Sequence, residues 1–454
     1  MKTIKTFHAV TIGESHIRKN TPCQDAAISF EDHENQIYIG AVSDGHGSKD
    51  YFRSDKGSKL LVEIALTNIK EFLSQSQANN FFQSSFVSRN TITSGESPVS
   101  KDDNDGQNVK ATNDALNQLF KSIIASWQQA IQIDWSDATP SKEDMQSLGV
   151  SESMIEGYLN GENLPIAYGC TLMAFARTEK FWFAFQIGDG KSIGFDQEMN
   201  AIEPIPTDEL CQGSVTTSMC EDNAFDNFRY GYGTDIPSVL IIGSDGMDGY
   251  FSKVEENAIE PLKGLYRSVV ESFLTKGFDE GLKELNESLP IFTQRGVTQD
   301  DMSVAGWIDY SKKKALLKGV LHFKKLSAEQ KLKEAEEKLT QEQQELKEYE
   351  ANFASKSNEI ATLEEQLIEL KSSYEKSLST VSALQENIDE EKAKQQELKQ
   401  QSDEKRAQKE KLEGELSNIE RVKQNKIQNI QKVEGEQQKT KSLLESLLNK
   451  FFGN

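Results

Sequence analysis

Residues 37–47 read IYIGAVSDGHG. A mostly apolar run ends at Asp44, and Gly45, His46 and Gly47 follow at once. Such a pattern predicts a buried strand that closes on a sharp turn carrying a carboxylate. Upstream, Asp25 follows Pro22-Cys23-Gln24 and opens a second apolar run, AAISF, at 26–30. When two such runs form an antiparallel hairpin, the start of the first strand lies beside the end of the second. Asp25 and Asp44 are then neighbours at one end of a sheet.

The same arrangement recurs along the chain. CTLMAFA at 170–176 turns at RTEK and returns as FWFAFQI, which ends at Gly188-Asp189-Gly190. SVLIIGS at 238–244 ends at Asp245-Gly246, and Asp300-Asp301 stand before MSVAGWI. Carboxylates packed this closely cannot all ionise without a compensating charge. Hard divalent cations with oxygen ligands, Mg²⁺ or Mn²⁺, supply it. A single Asp-Gly pair after a strand is usually just a turn, and a lone histidine in a loop is usually solvated. The weight lies in the ordered set.

That set resembles the metal-dependent serine/threonine protein phosphatases of type 2C. The residues that carry the resemblance are Gln24-Asp25, Val42-Ser43-Asp44-Gly45-His46-Gly47, Gly169-Cys170-Thr171, Gly188-Asp189-Gly190, Ser244-Asp245-Gly246 and Asp300-Asp301-Met302-Ser303-Val304, in family order over about residues 8–309. The opening Gly13-Glu14-Ser15-His16 through Pro22-Cys23-Gln24-Asp25 is similar to a bacterial branch of that family. The resemblance implies an α+β fold, an α-β-β-α sandwich of two antiparallel sheets flanked by helices. It implies two metal ions and a weaker third, Mn²⁺ or Mg²⁺. Asp44 would bridge two of them and the Gly45 carbonyl would bind one. Asp245 and Asp300 would ligate the first ion, Asp25 would act mainly through water at the second, and Asp189 would share the third with Asp245. His46 would be the general acid, while a hydroxide between the metals attacks phosphorus. The implied reaction is hydrolysis of phosphoserine or phosphothreonine on a protein substrate, with a partner kinase in the same pathway.

The sequence departs from the family pattern in three places. Asn20 stands where most members carry a phosphate-gripping arginine, so Arg18 or His16 is the expected substitute. Gln24 replaces a glutamate, and Asp248 sits one position short of the family's usual second acid after Asp245. The alternative reading is therefore a catalytically idle phosphatase-like fold, serving as a sensor or scaffold through the C-terminal half.

Composition bounds the rest. The formal net charge of -22 argues against nucleic acid or anionic membrane as a main partner. The four cysteines, Cys23, Cys170, Cys211 and Cys220, have no metal-site or redox-pair spacing, so reduced thiols in a cytoplasm are expected. Cys170 is expected to pack in a strand. No stretch reaches the ~18 apolar residues of a membrane span. Strands are predicted at 3–12, 26–30, 36–43, 170–176, 181–188, 238–244 and 302–308. Helices are predicted at 52–73, 112–133 and near 254–286. A Ser/Asn/Asp-rich stretch at about 74–110 reads as a low-complexity mobile insertion.

All nine prolines and all four tryptophans lie at or before Trp307. This shift marks a domain boundary: a phosphatase-like domain over 1–315, a linker at 316–325 and a long α-helical coiled coil over 326–454. There Leu332, Leu339, Leu346, Phe353, Ile360, Leu367, Tyr374, Val381 and Ile388 recur in heptads, with a second set including Ala335, Tyr349, Leu363, Leu370, Leu384 and Leu398. The frame returns at Leu412, Leu416 and Ile419, while Gln395, Ser402, Lys405 and Lys409 put polar groups on the seam. Over about 88 residues the rise predicts a rod of roughly 130 Å. Such a polar helix needs a partner. The reading favoured from sequence is a homodimer; the other is the same chain folded back near 395–409. Gly414 and Gly435 weaken the helix further on, and SLLESLLNKFF at 442–452 forms a terminal apolar patch.

Overall fold

Alternating apolar runs become the strands of two antiparallel sheets in the computed structural model. It describes residues 3–75, 81–90, 103–211, 215–249, 259–296, 299–381 and 388–452. The strands are β1 (Ile4–Thr11), β2 (Ala26–Asp32), β3 (Ile37–Ser43), β4 (Val87–Asn90), β5 (Leu172–Arg177), β6 (Trp182–Ile187), β7 (Lys191–Phe195), β8 (Ala201–Ile202), β9 (Arg229–Gly233), β10 (Val239–Gly243) and β11 (Met302–Asp309). One sheet has the order β1-β11-β10-β7-β8 and the other β2-β3-β5-β6-β9-β4. Contacts divide the chain into two units, Met1–Val320 and Leu321–Asn454.

In the first unit, side chains alternate across each strand. Tyr38, Val42, Met173, Phe175 and Trp182 of one sheet meet Ile4, Leu240, Ile242, Ala305 and Trp307 of the other. The intervening Ile39 and Ala41 face outward and pack with Leu61, Ala65, Phe120, Ile123 and Trp127 of helices Ser54–Ser74 and Asp103–Asp137. On the other outer face, the Phe7 ring lies 4.8 Å from that of Phe273, in helix Ile259–Lys276. The layers are thus helix, sheet, sheet, helix. The buried indoles keep their N–H groups bonded: Trp307 Nε1 donates to Pro237 O at 3.1 Å and Trp127 Nε1 to Gly57 O at 3.1 Å. Truncating Trp127 to alanine would cost on the order of 3–5 kcal/mol.

Strand register carries the acidic motifs to one end. Ala26 pairs with Ser43, so Asp25 and Asp44 flank the same hairpin end. Val42 pairs with Met173, Leu172 with Ile187, Gly243 with both Lys191 and Val304, and Thr11 with Met302. The opposite end is closed by a buried ion pair, Arg177 to Asp309 at 3.1 Å.

Several expectations are corrected. The stretch 74–110 is not simply an insertion: Phe82 stacks on Phe181 at 4.1 Å, β4 pairs with β9, and a helix starts at Asp103. A few aromatic and β-branched residues there outweigh the polar composition, while residues 76–80 and 91–102 lie outside the described residues. The helix expected near 254–286 is two helices, Ile259–Lys276 and Phe278–Arg295, parted by Gly277 at φ 95°; residues 254–258 lie outside the described residues. The expected linker 316–325 lies inside one continuous helix, Lys313–Val381.

In the second unit, the helix from Lys313 to Val381 is paired by a helix from Ile388 to Phe452 of the same chain. Within one copy of the chain the two arms pair as the fold-back alternative expects, with 395–409 inside the second helix; residues 382–387 lie outside the described residues. Ile360 and Leu363 pack with Leu412 and Leu416. Two of the polar seam positions, Lys405 and Lys409, find partners on the other arm in this antiparallel register. Lys409 meets Glu364 at 2.6 Å, Lys405 donates to Gln366, and Lys426 bridges Glu342 at 3.3 Å and also contacts Glu345. Long lysine stems cover the seam while their heads reach acids on the other arm. Of the heptad residues, Leu384 and the side chains of Val381 and Ile388 lie outside the described residues. Among the described residues no helix is long and apolar enough to cross a membrane.

Candidate metal centre and active site

The sandwich end gathers Asp25, Asp44, Asp245 and Asp300. Asp25 is buried, and its Oδ2 accepts from Ser244 Oγ at 2.7 Å and Ser303 Oγ at 2.5 Å. The Ser303 N–H donates to Ser244 Oγ at 3.0 Å, so two serines from neighbouring strands hold one carboxylate. Its other oxygen, Oδ1, is buried with no protein partner. Asp245 follows Ser244, and its carboxylate lies in hydrogen-bond contact with that of Asp44. The Asp44 backbone is fixed from the next strand: its N–H donates to Thr171 Oγ1 at 3.1 Å and its carbonyl accepts from Thr171 N at 2.8 Å.

Close approach dictates glycine at two turns. A Cβ on Gly246 would lie 1.9 Å from the Asp301 carbonyl oxygen. Gly188 sits at φ +111°, and a Cβ there would strike the Thr171 side chain.

The electrostatics are those of crowded, buried carboxylates. Burial pushes Asp25 up to about 7; the Ser303 hydroxyl opposes this, and Asp301 adds repulsion. Burial likewise lifts Asp245 to about 7, with Asp189 and Asp300 adding to it. Asp44 rises well above the carboxylate range, first through burial and then through Asp25 and Asp245. Asp248 is raised to about 6 by burial, with Lys191 opposing, and its Oδ1 is also buried and unpartnered. Hard oxygen donors, an orphaned carboxylate oxygen and unbalanced negative charge fit divalent cations.

His46 stands beside this cluster. Its backbone carbonyl accepts from Gln24 Nε2 at 3.1 Å and Ser54 Oγ at 2.9 Å, and the Tyr51 ring packs edge-on at 4.8 Å. Its Nε2 lies 2.6 Å from Ser218 Oγ. Burial lowers its pKa to about 4, with Asp189 pulling the other way.

The remaining predicted residues are placed as follows. The Gly188-Asp189-Gly190 turn is held by Gln186 Nε2, which donates to Gly188 O at 2.9 Å and Gly190 O at 2.6 Å. Arg18 is exposed and donates to Gln299. His16 is buried, with Nδ1 2.9 Å from Asp301 and Nε2 3.9 Å from Asp300. His16, Asp300 and Asp301 each bring a potential ligand atom within 4.8 Å of one another. Asp301, however, is already committed: Gly13 N–H donates to its Oδ1 at 2.6 Å and Gln24 N–H to its Oδ2 at 2.6 Å. It fastens the 13–24 segment, while Asp300, half exposed, accepts from the Asp301 N–H at 2.9 Å through Oδ1. Asp301, Ser218, Ser244 and Ser303 received no role from the sequence. Three of them adjoin motif aspartates, which is the signal available; Ser218 lies in a loop with no motif.

Two antiparallel sheets lie under helices, and acids converge with His16 and His46 at one sheet end. Residues 12–289, more than half of the chain, match the family described as Protein phosphatase 2C, and the chain belongs to that family. Solved structures similar to it include a serine/threonine phosphatase of S. agalactiae (14% identity, TM-score 0.35, 67% of this chain and 99% of that one). PppA, a key regulatory component of T6SS in Pseudomonas aeruginosa, has 12% identity and TM-score 0.35 over 67% and 97% of the two chains. RsbX in complex with magnesium has 13% identity and TM-score 0.31 over 67% and 94%. No curated protein matches the chain.

Proposed function

We propose that this chain is an active, metal-dependent phosphatase acting on phosphoserine and phosphothreonine in proteins. The observation that carries the reading is the meeting of Asp25, Asp44, Asp245 and Asp300, drawn from distant segments, with Asp25 Oδ1 left buried and unpartnered. Asp44, the Gly45 carbonyl, Asp245 and Asp300 would hold Mn²⁺ or Mg²⁺, Asp25 would support a second ion, and Asp189 with Asp245 a third. When bound, such ions supply a water acidified enough to attack phosphorus at neutral pH. Family membership supports this choice of cofactor.

The chain's own residues do the rest. His46 is the general acid for the departing serine or threonine oxygen. It is neutral at pH 7 by itself, and a phosphate dianion beside the ring favours its charged form. Burial of the ring excludes competing water. Arg18, which donates to Gln299 next to Asp300, would meet phosphate in lieu of an arginine at position 20; His16 is tied to Asp301. The substrate is a phosphorylated protein, the target of a partner kinase in the same cytoplasm.

Hydrolysis of p-nitrophenyl phosphate and a phosphopeptide by the full chain with Mn²⁺ tests this. Turnover that vanishes in Asp44→Ala supports it. No turnover by wild type with either metal overturns it in favour of an idle scaffold.

A further inference from the structure

The loop between β8 and β9 reaches back to the general acid. Ser218, 3% exposed, lies with Oγ 2.6 Å from His46 Nε2. The same hydroxyl lies 3.1 Å from the Cys170 carbonyl oxygen, which can only accept. Cys220 N–H points at Oγ from 3.4 Å, and the Cys220 thiol, held protonated by burial, lies 3.1 Å from it and can donate to Oγ. A hydroxyl has one proton. Given to Cys170 O, it leaves Oγ as the acceptor for a proton on His46 Nε2. The ring is further confined by Tyr51 and by Gly169, where a Cβ would lie 2.9 Å from the ring.

We propose that Ser218 is a positioning residue for His46: it holds Nε2–H, so that Nδ1 is the atom that hands a proton to the leaving oxygen. This rests on the phosphatase reading above and deepens it. In the step, water oxygen forms the new bond to phosphorus. The bond from phosphorus to the serine or threonine oxygen breaks, and its electron pair stays on that oxygen. The oxygen takes the proton from Nδ1, and the ring is left neutral with Nε2–H still on Ser218. The attacking water's proton passes to solvent. Ser218 touches neither substrate nor metal; it acts by fixing the ring's tautomer and rotation.

The loop's own anchoring keeps Ser218 in place. The Ser218 N–H is 3.3 Å from Glu221 Oε2, and Met219 N–H donates to Cys170 O at 3.0 Å. Thr217 Oγ1 donates to Asp208 at 2.9 Å and accepts from Gly188 N at 3.0 Å. One loop therefore fastens both the His46 ring and the Asp189 turn.

The test uses the full chain with Mn²⁺ and two substrates. p-Nitrophenyl phosphate has a good leaving group that needs little protonation; a phosphoserine peptide has a poor one. Ser218→Ala is expected to lower kcat on the peptide about tenfold more than on p-nitrophenyl phosphate, since general acids contribute on the order of 10²–10⁴, with KM unchanged. Ser218→Thr, which keeps the hydroxyl, should restore most of the loss. In ¹⁵N-histidine-labelled wild type, His46 should be the Nε2–H tautomer, and in Ser218→Ala a mixture. Equal losses on both substrates, or an Nδ1–H tautomer in wild type, overturn the proposal even if the alanine variant folds poorly. The phosphatase reading is judged separately, on wild-type turnover alone.

Discussion

Asp301 holds His16 at 2.9 Å, and through that contact the last strand of the sandwich grips the segment leading to Asp25. The pair has a defined pH window. The Asp301 carboxylate raises the His16 pKa above 6.5, burial opposing. Burial pushes Asp301 up, but His16 and the N–H groups of Gly13 and Gln24 outweigh it and leave Asp301 below 3.8. His16 therefore contributes stability that is complete below its ordinary value and lost as pH rises through its folded one. Asp301 contributes stability present above its ordinary value and lost as pH falls through its folded one. Asp301→Ala should cost about 3 kcal/mol in urea unfolding, as for a broken buried pair, most between roughly pH 4 and 6.5.

The raised aspartates predict the opposite trend in chelator. Asp25 and Asp245 hold protons to about 7 in the fold against 3.8 when unfolded. The stability this gives is full below 3.8 and lost as pH rises through about 7. In EDTA the melting temperature should fall between pH 5 and 8, and Mn²⁺ should raise it most at pH 8. Asp44→Ala should abolish most of the Mn²⁺-induced rise. Calorimetric melts at both pH values check this.

Asp245→Ala should remove turnover while preserving the fold, because it deletes one of several mutually repelling carboxylates. Circular dichroism should be unchanged, the metal-free melting temperature equal or higher, and kcat lost, as expected when a metal ligand is removed. Unfolding not relieved by added metal would make the residue structural.

The helical hairpin predicts coupling between its arms. Leu412, 5% exposed, packs with Ile360 and Leu363. Leu412→Ala should destabilise the second unit by about 2–3 kcal/mol, read as lowered helical ellipticity on heating. Hydrolysis of a small aryl phosphate should be unaffected.

The site was legible in the sequence wherever a strand delivers a carboxylate to its end. Asp25 and Asp44 could be paired from two apolar runs, and the register of Ala26 with Ser43 puts them where that pairing requires. The short strands β7, β8 and β9 were not legible, since RYGYG carries two glycines and Ala201-Ile202 is too brief for a period. Nor was Phe82, a single aromatic in polar surroundings whose stacking on Phe181 depends on tertiary contact. The heptads showed that the long helix needs a partner. They could not show which one, because an a/d seam reads alike for parallel and antiparallel mates; within one copy of the chain, the acids that meet Lys409 and Lys426 lie on the other arm. Ser218 was invisible for the same reason as Phe82.

The pairing of β1 with β11, Ile4 opposite Asp309, has a further consequence during synthesis. Of the strands in this sheet, the earliest made has no neighbour in it until the last one appears. Asp25 and Asp44 emerge early, yet Asp300 and the serine that completes the cradle of Asp25 come only with that closing strand. A nascent chain thus cannot assemble the cation site piecemeal. Competence arrives in one late event, when nearly the whole domain has been made, and shielding of the half-built sandwich until then falls to whatever attends the emerging polypeptide.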